Sequence, residues 1–214
     1  MYWLIVGLYF FCLLVIFCYA ILQFSLTLNY LKVKRKGIKV SNKKLKTFPN
    51  VTIQLPVFNE KYVVERLIDS VIKIDYPHAH LEIQILDDST DETTEIIQNK
   101  LNSILATGID IVLIRRDNRI GFKAGALDYG LNTASGEFIA IFDADFIPEP
   151  DFLLKTIPHF EDAKVGVVQT RWEHINRNAS LLTKLQAFGL DAHFSIEQVG
   201  RSSKNHFINF NGTA

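Results

Sequence analysis

Two carboxylates follow a short apolar run in the second half of the chain. The run Ile139-Ala-Ile-Phe142 has the character of a buried strand, and Asp143 and Asp145 come directly after it. Side chains two residues apart in an extended segment point to the same side, so both acids can face one ligand. Such oxygen ligands suit Mg²⁺ or Mn²⁺ shared with the phosphates of a bound molecule. Taken alone, the pair is equally well explained as two solvated loop acids.

A second acid pair and a lysine strengthen the first interpretation. Asp87 and Asp88 end another apolar run, and Lys123 lies in Gly121-Phe-Lys-Ala-Gly125, which opens a helical pattern. The N-terminus of a helix attracts anions, and a lysine there adds positive charge where a diphosphate can bind. Each residue alone has an ordinary structural explanation. Together they predict a nucleotide-diphosphate pocket.

The elements that must position these residues alternate along the chain. Strand patterns, with apolar residues at every second position or in short runs, alternate with helical patterns. This alternation predicts an α/β fold with a mostly parallel sheet in three layers, and ligands of such sheets bind beyond the carboxyl ends of the strands. The predicted strands lie near residues 51–57, 81–87, 111–114, 138–142, 165–168 and 207–210, and the helices near 64–72, 97–105, 123–131 and 180–198.

The first 31 residues carry no charged side chain. As a helix they would extend about 46 Å, more than a bilayer core requires. A secretory signal is the alternative, but no basic segment precedes the apolar run, which is too long for a signal. We therefore predict a transmembrane anchor at residues 1–31 in contact with the lipid bilayer.

A basic segment follows the predicted anchor. Residues 32–46 hold eight lysines and arginines and no acid, and we interpret residues 32–50 as a cytoplasmic linker. The bias of basic segments toward the cytoplasm places the N-terminus outside and the following domain inside. All 23 acidic residues come after this segment, so the domain is net acidic. This charge argues against nucleic acid as a partner.

Six motifs in order resemble those of the family-two glycosyltransferases. Within that family, they are most similar to the cellulose-synthase-like branch that includes the β-mannan (glucomannan) synthases. The resemblance covers residues 51–214, and a lone pair of spaced acids would be far less specific. The motifs are PVFNE (56–60), DDSTD (87–91), KAGAL (123–127), DAD (143–145), QTRW (169–172) and FNGTA (210–214).

The resemblance implies a GT-A fold and the inverting transfer of a hexose from a nucleotide diphosphate to a growing β-linked polysaccharide, the acceptor. The donor would be GDP-mannose or UDP-glucose. Asp87, Asp88, Lys123 and Asp143 would bind the donor nucleotide, and Asp145 would hold Mg²⁺ or Mn²⁺. The sugar and acceptor side would be lined by Gln169, Asn211, Gly212 and Thr213.

The resemblance also places the general base in an acidic T-E-D-type motif downstream of residue 214. A Q-x-x-R-W motif and further membrane helices are expected beyond it. We therefore interpret residues 51–214 as a GT-A domain truncated at its C-terminal end, without its catalytic base.

Other functions remain compatible with parts of the pattern. The acid pairs are similar to those of phosphoreceiver domains and haloacid-dehalogenase phosphatases, but those proteins carry them on the first strand of the domain. A non-catalytic nucleotide-sugar-binding membrane protein is a second alternative. Transfer to a polyprenyl phosphate is a third, and the motifs at 169–172 and 210–214 favour a glycan acceptor over it.

Overall fold

The computed structural model describes residues 1–37, 45, 47–104, 108–204 and 206–213. Contacts between residues divide the chain into two compact units. The helical unit comprises Met1–Val40 and Thr170–Phe210, and the sheet unit comprises Ser41–Gln169 and Asn211–Ala214. Of the predicted linker at 32–50, residues 38–44 and 46 lie outside the described part, as does Ala214 of the last motif.

The sheet unit contains the predicted parallel sheet. Its strands are β1 (Val51–Val57), β2 (Leu81–Asp87), β3 (Asp110–Arg115) and β4 (Phe138–Ile141). They pair in the order β3-β2-β1-β4, and every neighbouring pair is parallel. The register aligns Val57 with Asp87 and Asp87 with Arg115, so three carboxyl ends lie side by side.

Two of the predicted strands do not form. Residues 165–168 and 207–210 are described, and neither segment pairs with a strand of the sheet. Val167 and Phe207 are exposed, so these apolar runs are not held against a core. A short apolar run adopts a strand only where a sheet edge and a packing surface are available, which local sequence does not specify.

One face of the sheet packs on the helices α2 (Val64–Val71) and α3 (Thr93–Ile104). Strand residues at alternating positions point toward them, as the period of two requires. The short helix α5 (Phe152–Thr156) joins the same core through Leu153 and is followed by a 3₁₀ helix at Ile157–Glu161. Fully buried side chains of this core are Ile53, Leu55, Leu67, Ile68, Ile83, Ile85 and Ile97.

The opposite face of the sheet packs on α4 (Phe122–Leu131) and completes three layers. Here two of the buried strand residues are glutamines: Gln54 Nε2 donates to Gln84 Oε1 at 3.1 Å and to the Leu127 carbonyl at 3.4 Å. The helix comes close enough for this contact because residue 130 is glycine. A Cβ on Gly130 would lie only 2.7 Å from Gln54 Nε2.

The helical unit contains α1 (Tyr2–Lys36), the one helix in the described residues that is long and apolar enough to cross a membrane. The predicted helix at 180–198 forms as α6 (Leu181–Ala192), capped by Ser180, and continues as a π-helical segment at His193–Gln198 and as α7 (Val199–Ser202). A polar contact links this region to α1, where Gln23 Nε2 donates to Glu197 Oε1 at 3.1 Å.

Candidate functional site

A cavity of about 430 Å³ lies where the carboxyl ends of β1, β2 and β4 meet. Its size is within the range of small-molecule sites, roughly 300–1,000 Å³. Four of the predicted site residues line it: Asp88, Lys123, Asp143 and Asp145. The other residues of its wall are Pro56, Val57, Phe58, Glu60, Leu86, Arg119, Ala126 and Ala144.

The chain leaving β4 directs its two acids into this cavity. Phe142 and Ala144 are buried, and Phe142 packs edge-on against Phe152 of α5. The alternate residues Asp143 and Asp145 are therefore turned outward, Asp143 half-buried and Asp145 exposed. The spacing of the two acids thus places both in one pocket, as the sequence predicted.

Lys123 reaches the pocket from the first turn of α4. Its Nζ donates to Asp143 Oδ1 at 2.5 Å, so the amine and this carboxylate neutralise each other. The helix begins after Gly121 in the left-handed conformation, with φ of 75°, and Gly125 N–H donates to the Gly121 carbonyl. The positive end of the helix and the lysine therefore lie beside the acids of β4.

Thr213 lies next to β4 and ties the end of the described chain to the acids. Its hydroxyl donates to the Ile141 carbonyl at 2.9 Å and accepts from Asp143 N–H at 3.2 Å. Gln169 Nε2 donates to the Thr213 carbonyl at 2.7 Å, and its Oε1 accepts from Asn211 N–H at 3.2 Å. Gly212 lies between Asn211 and Thr213 in the chain and has a φ of 76°. The four predicted sugar-side residues are thus neighbours in the sheet unit.

Asp87 is separated from the pocket by its own hydrogen bonds. It is buried, with one oxygen accepting from Ser89 N–H and the other from the Thr94 hydroxyl at 2.6 Å. Arg115 Nε lies 3.3 Å from the second oxygen. Asp87 therefore fixes the loop between β2 and α3 and does not line the cavity.

Asp88 does line the cavity, and a paired arginine holds it there. Arg116 Nε donates to Asp88 Oδ1 at 2.7 Å and Arg116 Nη2 to Oδ2 at 2.6 Å. Arg119 approaches the same carboxylate at 3.9 Å, and its guanidinium lies 3.3 Å from the centre of the Phe58 ring. The wall between β1 and β2 thus combines a flat cation with an aromatic ring.

The predicted site residues did not include Glu60, Arg116, Arg119 or Phe58. Two signals in the sequence point to them: the motif at 56–60 contains Phe58 and Glu60, and two arginines, Arg116 and Arg119, follow β3 before the helix that carries Lys123. The motif identifies the segment, but the partner of each arginine depends on how the loop folds.

The electrostatics of the pocket favour a cation beside Asp145. Burial raises the pKa of Glu60, and the charges of Asp145, Asp143 and Asp91 raise it further. Lys123 compensates Asp143, but no hydrogen bond to the Asp145 carboxylate is recorded among the described residues. In this part of the chain no three His, Cys, Asp or Glu side chains form a preassembled metal cluster. A site with two carboxylates, those of Asp143 and Asp145, nevertheless fits Mg²⁺ or Mn²⁺, because these ions commonly complete their coordination with water and substrate phosphates.

Similarities to known proteins agree with this geometry. A probable glucomannan 4-beta-mannosyltransferase of Oryza sativa subsp. japonica is 45% identical over 78% of this chain and 31% of its own length. Glucomannan 4-beta-mannosyltransferase 1 of Cyamopsis tetragonoloba is 40% identical over 87% of this chain and 36% of its own length. The chain thus spans about a third of the length of these curated relatives.

A solved structure shares the fold. The mannosyltransferase from Pyrobaculum calidifontis, in complex with GDP-Man and Mn²⁺, is 28% identical, with a TM-score of 0.58 over 69% of this chain and 44% of the other. The predicted GT-A fold is confirmed by this likeness and by the parallel sheet. The model of Glycosyl transferase family 2 matches residues 52–213, from the start of β1 to the threonine beside β4. The chain therefore belongs to glycosyltransferase family 2.

Proposed function

We propose that this chain is the donor-binding part of a membrane-bound inverting glycosyltransferase. The enzyme moves a hexose from GDP-mannose or UDP-glucose to a growing β-linked polysaccharide. The observation that carries the proposal is the joint placement of Asp88, Lys123, Asp143 and Asp145 in one cavity at the carboxyl edge of the sheet. The glucomannan 4-beta-mannosyltransferases among its relatives support a mannosyl donor.

Each donor-side residue has a role that follows from its position. Asp88 contacts the nucleoside, and Asp87 supports this contact by holding the loop that follows β2. Asp143 contacts the nucleotide. Lys123 lies at the helix N-terminus, where its charge and the backbone N–H groups stabilise the negative charge that builds on the leaving diphosphate.

Asp145 is the proposed ligand of Mg²⁺ or Mn²⁺. The uncompensated carboxylate and the raised pKa of neighbouring Glu60 support a cation at this position. The Mn²⁺ bound with GDP-Man in the Pyrobaculum protein supports the same choice. When bound, such an ion withdraws charge from the diphosphate and makes it a better leaving group.

The sugar and acceptor side is assigned to Gln169, Asn211, Gly212 and Thr213. Thr213 is fully buried, so its contribution is to hold Asp143 through the hydrogen bond to the Asp143 N–H. Gln169 in turn positions Thr213 and Asn211. We assign no general base to the described residues; the family resemblance places that group in a later segment.

The membrane is the proposed location of α1. Residues 2–22 carry no charge and their side chains are almost all exposed, as expected of a helix surrounded by lipid. The basic residues that follow support a cytoplasmic sheet unit and an N-terminus on the other side.

Donor binding tests this function directly. The full chain in detergent is titrated calorimetrically with GDP, UDP, GDP-mannose and UDP-glucose, each with Mn²⁺ and with EDTA. We expect binding that requires the metal, and the stronger nucleotide identifies the donor. Equal heats for nucleotide diphosphates and for buffer would refute the proposal.

A further inference from the structure

We propose that Arg116 is a positioning residue for the donor: it closes the turn at residues 116–122 onto Asp88 and so sets the places of Arg119 and Lys123. The inference rests on the proposed donor binding. It assigns a role to a side chain that does not itself line the cavity.

Arg116 uses four hydrogen bonds to join three parts of the site. Besides the two bonds to Asp88, its Nη1 donates to the Ile120 carbonyl at 2.7 Å and its Nη2 to the Phe122 carbonyl at 2.8 Å. Its side chain is 9% exposed and that of Asp88 is 7% exposed. A rigid, planar fork with several donors can make these contacts together, whereas the single ammonium of lysine cannot.

The backbone of the turn is shaped to present those carbonyls. Gly121 has φ of 75° and Phe122 has φ of 49°, a left-handed conformation that is unfavourable for a residue with a side chain. The strain persists only where surrounding contacts hold it. The guanidinium supplies such contacts on both sides of Gly121, at the carbonyls of Ile120 and Phe122.

Gly125 gives an independent sign that this closure is tight. A Cβ at this position would lie 2.0 Å from the Ile120 carbonyl oxygen and 2.7 Å from Arg116 Nη1. Only glycine lets the first turn of α4 approach the closed turn so closely. Lys123 belongs to that same first turn, so its position follows from the closure.

The closed turn affects the pocket in two places. Arg119, inside the turn, lies against Phe58 on one wall, and Lys123, just after it, faces Asp143 on another. Asp88 remains able to bind a ligand, because a carboxylate has about four acceptor positions and Arg116 occupies two. One guanidinium therefore orients both the nucleoside wall and the diphosphate cation.

The test compares Arg116→Lys and Arg116→Ala with Arg66→Ala, which removes an exposed arginine of α2 that does not line the cavity. Calorimetry with Mn²⁺ measures the affinity of each variant chain for GDP and GMP. Charged hydrogen bonds are worth enough that we expect roughly tenfold or greater weakening for GDP in both Arg116 variants. The affinity for GMP should fall less, because GMP lacks the phosphate that Lys123 holds. Ethylguanidinium should restore part of the GDP affinity of Arg116→Ala.

Hydrogen exchange distinguishes positioning from general destabilisation. In Arg116→Lys, the N–H groups of Phe122 and Gly125 should lose protection while those of β1 keep it. If Arg116→Ala does not fold, hydrogen exchange of Arg116→Lys alone distinguishes a positioning role from general destabilisation. Unchanged GDP affinity, equal losses for GDP and GMP, or uniform loss of protection would overturn the inference. Failure of the unaltered chain to bind GDP and UDP would instead remove the proposed function, and the positioning role with it.

Discussion

Three aspartates share the pocket but differ in their partners. Asp88 is paired with Arg116 and Asp143 with Lys123, whereas the described structure records no such partner for Asp145. Burial raises the pKa of Glu60, and the nearby charges of Asp145, Asp143 and Asp91 raise it further. This difference supports the proposed cation site, which is best tested at Asp145.

Asp145→Asn should weaken metal-dependent binding of a nucleotide diphosphate by roughly tenfold or more, because an amide is a much poorer ligand for a hard cation than a carboxylate. Asp151→Asn is the matched control: Asp151 is a few residues away and forms an ion pair with Lys155 on the surface. Titrations with and without Mn²⁺ make the comparison. Equal, small effects of the two changes would argue against the metal assignment.

Glu82 provides a pH-dependent contribution to stability. Burial alone would raise its pKa, but hydrogen bonds from the Thr52 hydroxyl, from Ser135 and from Gln84 outweigh burial and lower the pKa below 4.5. A lowered carboxyl pKa stabilises the fold above the unfolded pKa, and this stability is lost as pH falls through the folded pKa.

Glu82→Gln should therefore lower the free energy of unfolding at pH 7 by about 1–3 kcal/mol, because the amide has one acceptor oxygen and no charge. If that oxygen keeps the bonds from Thr52 and Ser135, the NH2 group faces the Gln84 donor and that bond is lost. The difference between the two proteins should shrink as pH falls below about 4. Urea unfolding at several pH values measures it. A difference independent of pH would contradict the ionised state assigned to this carboxylate.

Among the elements, α4 lies in close contact with the sheet. It packs over the buried Gln54 and Gln84, and Gly130 is a point of close approach. The same helix carries Lys123 into the pocket, so the packing of its C-terminal half and the function of its N-terminal half are linked.

Gly130→Ala should destabilise the sheet unit by about 1–3 kcal/mol, although alanine favours helices, because the added Cβ would overlap three side chains of the sheet. Gly166→Ala is the control in the same unit, since a Cβ there meets no atom within 4 Å. Thermal unfolding of both variants gives the comparison. A stabilised Gly130→Ala variant would show that α4 can move away from the sheet without cost.

The elements also show how far local sequence can predict this protein. The strands and the acids at their ends were predictable because periodicity and spacing are local properties. The pairing of Asp88 with Arg116 was not predictable from the local sequence, since it depends on the conformation of the turn at 116–122. The failed strand at 165–168 has the same cause: its apolar residues carry no information about whether a sheet edge lies beside them.

At the scale of the whole molecule, charge is separated along the chain. The first 31 residues are uncharged, the eight basic residues lie at 32–46, the first four of them in the last turns of α1, and all acidic residues come later. A reporter fused after the last residue should therefore be active only on the cytoplasmic side. Replacing the eight bases with glutamine should give mixed orientation. Protease protection of the reporter measures this, and a reporter on the opposite side would refute the proposed topology.

The strand order also has a consequence for assembly. β1, β2 and β3 pair with neighbours in sequence, but β4 pairs with β1 and so closes a loop of about 80 residues. Long loops cost more entropy to close, so we expect this strand to join the sheet last during folding. The cavity forms only once β4 has joined the sheet. A nucleotide should consequently select the completed sheet from a population that includes chains with β4 undocked, and it should slow exchange of the β4 amides more than those of β2 and β3.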